Sequence, residues 1–384
     1  MSSDYLNERD AKVIEASQKM LADLPDYVRT FYDSKRESKA ELTRSAYVKD
    51  IRDFLAYLAP MHHEEVKTFP SEILDRLTPQ DINEYKNVLI DKYKGSSVKR
   101  KLASLSTFYK YLVICGITKS NPAAIIDWPA EDNSKVIVTL DDEQTAKLLA
   151  GIYNNDKQLY YLNEDGEYAE SSIKGKGAVK GVSKNKHTEY EVKAIDPATK
   201  ARREKVRLRN YCITLLFLKT GVRVSELVSI DLDDIDFKRT IIYVTGKGNK
   251  TRPVGYGEPE IVAALNEYIN VERKALTAKP NHRDEKALFV SSRGNRISVD
   301  AVECMIKEMV QTYLADDEYI KHNDFSPHKL RSTCATRLLK ETGNIAGVSE
   351  FLGHNSIEIT ARRYAAISQE NNSKEMEKVR VLPE

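Results

Sequence analysis

The chain has 384 residues, 41% apolar and 31% charged, enough for two or three folded domains with real cores. Its 60 Lys and Arg against 58 Asp and Glu leave a net charge of +2, so overall charge identifies no partner and any polyanion signal must lie in local placement. The four cysteines lack metal-ligand or disulfide-framework spacing, no apolar run approaches a membrane span, and the N-terminus lacks a signal-peptide pattern; a cytoplasmic protein is expected.

Residues 1–21 are polar and read as an extension, frayed or a short helix. Residues 22–128 read as a helical domain of four or five helices, because Tyr47, Ile51, Phe54, Leu55 and Leu58 recur three and four apart. A second helix is expected over Asp81–Asp91, after Thr78 as cap and Pro79 at the first helical position, and a third over Ser97–Val113. Around that third helix the charge is lopsided. No acid falls between Asp91 and Asp127, whereas Lys92, Lys94, Lys99, Arg100 and Lys101 do. Such a run fits a solvated helix face and equally a surface tracking DNA phosphates.

Residues 129–138, small, polar and proline-bearing, read as a linker to a second domain over 139–368. That domain opens with a helix from Thr139–Asp142 to Tyr153. Residues 154–205 are rich in Gly, Lys and Glu, with alternation at Tyr160–Leu162 and Tyr190–Val192 that predicts a hairpin around a basic loop. The simpler reading of this insertion is a solvent-exposed excursion; the sharper one is an extra DNA contact. Arg209–Thr220 is apolar on nearly every side and is therefore a buried helix. Gly221 follows, then a second helix through Leu227. Thr240–Thr245 and Thr251–Tyr256 alternate like strands around a basic tip, and the chain from about Glu258 is helical. Cys115, Cys212, Cys304 and Cys334 are most simply core residues.

Four motifs carry chemistry, and their order together matters more than any one of them. GVRVSEL sets Arg223 and Glu226 three apart on one helical face, where the carboxylate can hold the guanidinium. GKGNK sets Lys247 and Lys250 on the hairpin tip. SPHKLR puts Ser326 at an N-cap, Pro327 at the first helical position, and His328 and Arg331 one turn apart. LGHNSIEITARRY carries His354 just past a glycine-ended helix and ends in Tyr364, with Arg362 and Arg363 beside it as candidate phosphate contacts. Two arginines, two histidines and a lysine suit a phosphate. The sequence offers no carboxylate or Cys/His set for a metal and no nucleotide-binding glycine motif, so no cofactor is expected. A tyrosine beside cations then fits as a nucleophile for covalent phosphoryl transfer.

Arg223, Lys247, His328 with Arg331, His354 and Tyr364 resemble the active-site set of tyrosine site-specific recombinases, the Xer and phage integrase family. The resemblance runs from near Ala22 through Tyr364, interrupted by the 154–205 insertion. It implies a mainly α fold with a small β-sheet, in which a helical SAM-like core-binding domain and a mixed α/β catalytic domain form a C-clamp around duplex DNA. It implies that Tyr364 attacks a phosphodiester, Arg223 and Arg331 hold the non-bridging oxygens, and Lys247 protonates the leaving oxygen. His328 would assist proton transfer, His354 would donate to the phosphate, and Glu226 would support Arg223. It further implies double-stranded DNA carrying a specific site as partner, a homotetrameric synapse, room for accessory recombination proteins, and no membrane. The 369–384 tail, whose apolar residues could by themselves fold back on their own core, is by the resemblance packed in trans on a neighbouring copy. Competing readings are a type IB topoisomerase and a DNA-binding accessory protein that has lost the chemistry. The one departure favours the latter: the family tyrosine follows the second histidine by nine residues, whereas His354 to Tyr364 spans ten. An extra residue within a helix would rotate Tyr364 by about 100°, but in the Asn355–Glu358 loop it is absorbed.

Overall fold

The apolar spacing of the N-terminal third is realised as helices α1 (Ser3–Leu21), α2 (Asp26–Ser34), α3 (Glu41–His62), α4 (Ser71–Arg76), α5 (Pro79–Lys92) and α6 (Gly95–Ile114). The computed structural model describes residues 3–127, 137–162, 168–169, 190–246, 250–278, 286–321, 325–353, 357–358, 360–361 and 364. They fall into two units, Ser3–Lys135 and Val136–Glu384. The 129–138 linker lies mostly outside the described residues, as do residues 170–189 of the insertion, with the lysines they carry, and the 369–384 tail.

In the first unit, α5 begins where expected: Thr78 Oγ1 accepts from the Asp81 N–H and Asp81 returns the bond to the Thr78 N–H at 2.7 Å. Val48, Ile51, Phe54, Leu55 and Leu58 of α3 are buried with Leu102, Leu105, Phe108 and Leu112 of α6. Each such side chain contributes about 1.5–3 kcal/mol by leaving water. Of the two readings of the N-terminal segment, the helix holds over Ser3–Leu21: α1 packs against α3 and buries Ser17 and Leu21.

The second unit opens with α7 (Asp142–Asn154), capped reciprocally by Asp141 and Gln144. The insertion builds a sheet of β1 (Lys157–Leu162), β2 (Tyr168–Ala169) and β3 (Tyr190–Ala194) in the order β2-β1-β3, with Tyr161 opposite Tyr190. It continues into a helix the alternation did not signal, α8 (Pro197–Glu204), started by the Asp196 side chain on the Thr199 N–H. Then come α9 (Arg207–Thr220), α10 (Val224–Ser229), β4 (Ile235–Asp236), β5 (Ile241–Thr245) and β6 (Thr251–Gly255), the strands forming an antiparallel β4-β5-β6 sheet. The helical remainder is α11 (Pro259–Glu267), a π-helical turn over Tyr268–Arg273, α12 (Lys274–Thr277), α13 (Val299–Tyr313), α14 (Glu318–Lys321), α15 (Pro327–Thr342) and α16 (Ile345–Leu352). None of the described helices is long and apolar enough to cross a membrane.

As its composition demands, α9 is buried along most of its length. Its N-terminus is held by Glu272 of the π-helical turn, which accepts from the Leu208 N–H at 2.8 Å and the Arg209 N–H at 3.0 Å. Burial pushes the Glu272 carboxyl up to about 7 even so. At the other end, Gly221 takes φ +56° and closes α9, and a side chain there would meet Leu352 as well as strain the backbone. Cys212 and Cys334 are core residues, but Cys115 and Cys304 are exposed, correcting the expectation for those two.

Helix α7 meets α13 through a glycine. A Cβ built on Gly151 would lie 2.3 Å from the Tyr313 ring, too close for any rotamer adjustment that keeps the helices in place. Gly151→Ala is therefore expected to destabilise this unit by about 1–3 kcal/mol through overpacking, read as a lower urea midpoint at unchanged slope.

Candidate active site

The site is assembled where the C-terminal ends of α9 and α16, the start of α10, the edge of β6 and the first turns of α15 meet. Arg223 is not on a helical face with Glu226, as spacing alone suggested. It is the N-cap residue of α10, extended at φ −75° and ψ 149°, and Glu226 is the third residue of that helix. The carboxylate therefore accepts twice from Arg223, from its backbone N–H at 2.9 Å and from Nη1 at 2.7 Å. Arg223 Nη2 donates to the Gly353 carbonyl at 2.9 Å, tying α10 to the end of α16.

Glu226 is 2% exposed and has a second guanidinium. Arg252, on β6, meets it as a fork, Nη1 to Oε1 at 3.1 Å and Nη2 to Oε2 at 2.9 Å. Burial alone would raise the Glu226 carboxyl, but hydrogen bonds from Arg252 and from the Arg223 backbone outweigh it and hold the carboxyl below its ordinary range. The Arg252 guanidinium lies flat under Gly353: a Cβ there would sit 3.3 Å from its Cζ, Nε and Nη1. Gly353 also has φ +63°, so glycine answers both demands.

Arg331 comes from the second turn of α15 and is 6% exposed. It donates to the Gly221 carbonyl and, at 2.6 Å, to that of Leu352, using the unpaired carbonyls at two helix ends. Burial and the neighbouring Arg223 depress its pKa to about 10. Ser326 occupies the N-cap position of α15 with Pro327 following, as the motif predicts, and its side chain makes no capping bond. His328, three residues before Arg331, is exposed.

Tyr364 is 2% exposed and packs with Ala335, Leu339, Val348 and Leu352. Leu352, in that cluster, is the residue whose carbonyl accepts from Arg331. Ile357, Glu358, Thr360, Ala361 and Tyr364 are helical, so the expected loop over Asn355–Glu358 does not extend to its last two residues. Lys247, His354, Arg362 and Arg363 lie outside the described residues. Lys250 is exposed where the tip rejoins β6, and its carbonyl accepts from the Gly246 N–H at 2.9 Å.

In the first unit, Lys92 and Lys94 are exposed, Lys99 is half-buried, and the Arg100 side chain is 50% exposed. Lys101 is corrected. It is 5% exposed and its ammonium meets Asp53 at 2.8 Å and Asp50 at 3.2 Å, so it is core and unavailable to a phosphate. Local sequence hid this because both acids come from α3, about fifty residues away.

Sequence reasoning missed Arg252. Its only local signal was a charged residue in an alternating strand next to GKGNK, which reads as a solvated strand position.

Residues 187–371 match the Phage integrase family, and residues 30–115 match the phage integrase N-terminal SAM-like domain. Tyrosine recombinase XerC of Bifidobacterium longum subsp. infantis is 31% identical over 306 residues, covering 77% of this chain and 82% of the relative. Tyrosine recombinase XerS of Streptococcus mutans is 29% identical over 359 residues, covering 88% and 90%. In fold, the chain is similar to the Tn1549 transposon integrase in complex with transposon right end DNA, at TM-score 0.62, 18% identity and coverage of 92% and 98%. It is also similar to the XerH site-specific recombinase bound to its difH substrate, at TM-score 0.54, 15% identity and coverage of 90% and 83%. A mainly helical chain with small sheets and one set of clustered guanidiniums beside a tyrosine thus belongs to the phage integrase family of tyrosine recombinases, the enzymes that cut and rejoin DNA at specific sites through a tyrosine.

Proposed function

We propose that Tyr364 is the nucleophile of this recombinase and that Arg223 and Arg331 bind the scissile phosphate of a duplex recombination site. The observation that carries this reading is that Arg223 and Arg331 donate to the adjacent carbonyls of Gly353 and Leu352, with Tyr364 packed on Leu352 and Glu226 and Arg252 bonded beside Arg223. The phenolic oxygen bonds to phosphorus as the bond to the 5′ oxygen breaks, leaving a 3′-phosphotyrosyl link and a free 5′-hydroxyl. His328 assists removal of the phenol proton, Lys247 delivers one to the departing 5′ oxygen, and His354 donates a hydrogen bond to the phosphate. The phosphoester energy stays in the protein–DNA bond, so rejoining consumes no nucleotide.

A phenol titrates near 10 in water and needs this cationic surrounding to react at neutral pH. At 2% exposure Tyr364 reaches a phosphate only after its helix shifts on the α15–α16 pair. The helical unit, with Lys92, Lys94 and Arg100 outward, and Lys250 of the second unit supply phosphate contacts; Arg362 and Arg363 add to them. Strand exchange between two sites engages four copies, with the tail of one packed on the next. Dimer resolution and mobile-element integration use the same strand transfers and differ in where the two sites lie.

The test is covalent trapping on nicked duplexes from the host genome, without metal or nucleotide. An adduct that survives denaturation, maps to Tyr364 and disappears in Tyr364→Phe, while DNA binding persists, is the expected result. Specific binding with no adduct would sink the reading in favour of an accessory DNA-binding protein. An adduct that relaxes supercoils without recombinant product would point to a topoisomerase.

A further inference from the structure

Phosphate-binding arginines lose their purpose if a carboxylate cancels them, and Glu226 sits 2.7 Å from Arg223. The carboxyl is 2% exposed and held below its ordinary range, so it is ionised in the working enzyme. Without a further cation it would neutralise half the charge that Arg223 and Arg331 bring to the phosphate. Arg252 supplies that cation from β6 and engages both Glu226 oxygens. It also has a buried Nε without a hydrogen-bond partner among the described residues, a cost that a purely stabilising arginine has no reason to carry.

We propose that Arg252 is a positioning residue for the cleavage reaction: it neutralises Glu226, so that Glu226 can orient Arg223 without cancelling its charge at the phosphate. Three guanidiniums against one carboxylate leave a surplus of two positive charges among the described residues of the site. The five-coordinate phosphorus of the transition state carries about two negative charges, one more than the ground-state diester. Removing Arg252 leaves a surplus of one, which still matches the diester but not the transition state. The loss therefore falls on the chemical step and not on DNA binding. Arg252 acts from behind Glu226, under Gly353, without touching the phosphate.

This inference rests on the catalytic roles proposed for Arg223, Arg331 and Tyr364, and the experiment keeps the two separable. Single-turnover cleavage is measured for the wild type, Arg252→Gln and Arg252→Lys on a synthetic recombination site with either a phosphodiester or a methylphosphonate at the scissile position. The methylphosphonate lacks one negative charge, so it should not need the surplus that Arg252 provides. On the diester, Arg252→Gln should cleave about 10²-fold more slowly with unchanged DNA affinity, and the methylphosphonate should bring it within about 10-fold of wild type. Arg252→Lys, which keeps the charge, should recover most of the rate on the diester. Equal slowing on both substrates would overturn the proposal, as would full activity of Arg252→Gln on the diester. If Arg252→Gln does not fold, Arg252→Lys carries the test, because it keeps the charge while losing the fork on the two Glu226 oxygens. It should keep most of the wild-type rate on both substrates; a loss of about 10²-fold or more that is equal on the two substrates in folded Arg252→Lys overturns the proposal. Wild type that fails to cleave either substrate overturns the catalytic reading itself.

Discussion

Arg331→Ala should lose cleavage by about 10³-fold or more while stability changes by less than about 2 kcal/mol. On the proposed role of Arg331, the activity term is a preorganised donor removed from the phosphate. The stability term is a near-cancellation. Deleting the guanidinium strips donors from the Gly221 and Leu352 carbonyls, which costs about 1–3 kcal/mol for each buried acceptor left unpaired. Against this, a guanidinium depressed from 12.5 to about 10 is held at an electrostatic cost, on the order of 3 kcal/mol, which its removal relieves. A residue whose deletion is nearly neutral for folding and severe for chemistry is retained for the chemistry. Urea titrations and single-turnover cleavage on the same preparations check both terms. A loss of 4 kcal/mol or more would show that Arg331 is chiefly structural and that its burial penalty is overstated.

Asp50→Ala should be the most damaging single change in the helical unit, at about 3–5 kcal/mol. Asp50 is 4% exposed and gathers the Arg100 fork, the Lys101 ammonium at 3.2 Å and the Ser104 hydroxyl at 2.7 Å. Burial alone would lower the Lys101 pKa, and Asp53 with Asp50 holds it above its ordinary value instead. Without Asp50 the buried ammonium keeps Asp53 alone, and Arg100 loses its anchor. Lys101→Met should cost far less, because Asp50 keeps Arg100 and Ser104 and an unbranched methionine takes the place of the buried lysine stem. Thermal melts of the full chain should show the first transition falling steeply for Asp50→Ala and little for Lys101→Met. Equal losses would mean that the network is held by packing and not by charge. DNA affinity should also fall modestly in Asp50→Ala, since a guanidinium without its carboxylate must be ordered when it meets a phosphate.

Much of this protein was legible from residues close together in the chain. The Thr78 cap, the unbroken apolar run of α9, the alternation of β5 and β6 and the Pro327 helix start all arise from interactions within one turn or one hairpin. So does the Arg223–Glu226 pair, although its geometry is that of a helix cap and not of a helix face. The motifs spread over about 140 residues identified the chemistry, because a phosphate needs those residue types whatever fold brings them together.

The tertiary structure decided which charges are free to act. Lys101 and Arg100 look alike in sequence, yet one is buried between two carboxylates of α3 and the other is half in solvent. Arg252 looks like any strand cation until β6 sets it against Glu226 and under Gly353. The sequence by itself determined most of the helices, the β5–β6 hairpin and the candidate reacting groups, since these depend on local periodicity, capping and residue chemistry. Only the folded chain decided which cations are neutralised and which remain for DNA, because a charge's partner is its nearest neighbour in space, often a hundred residues away in the chain.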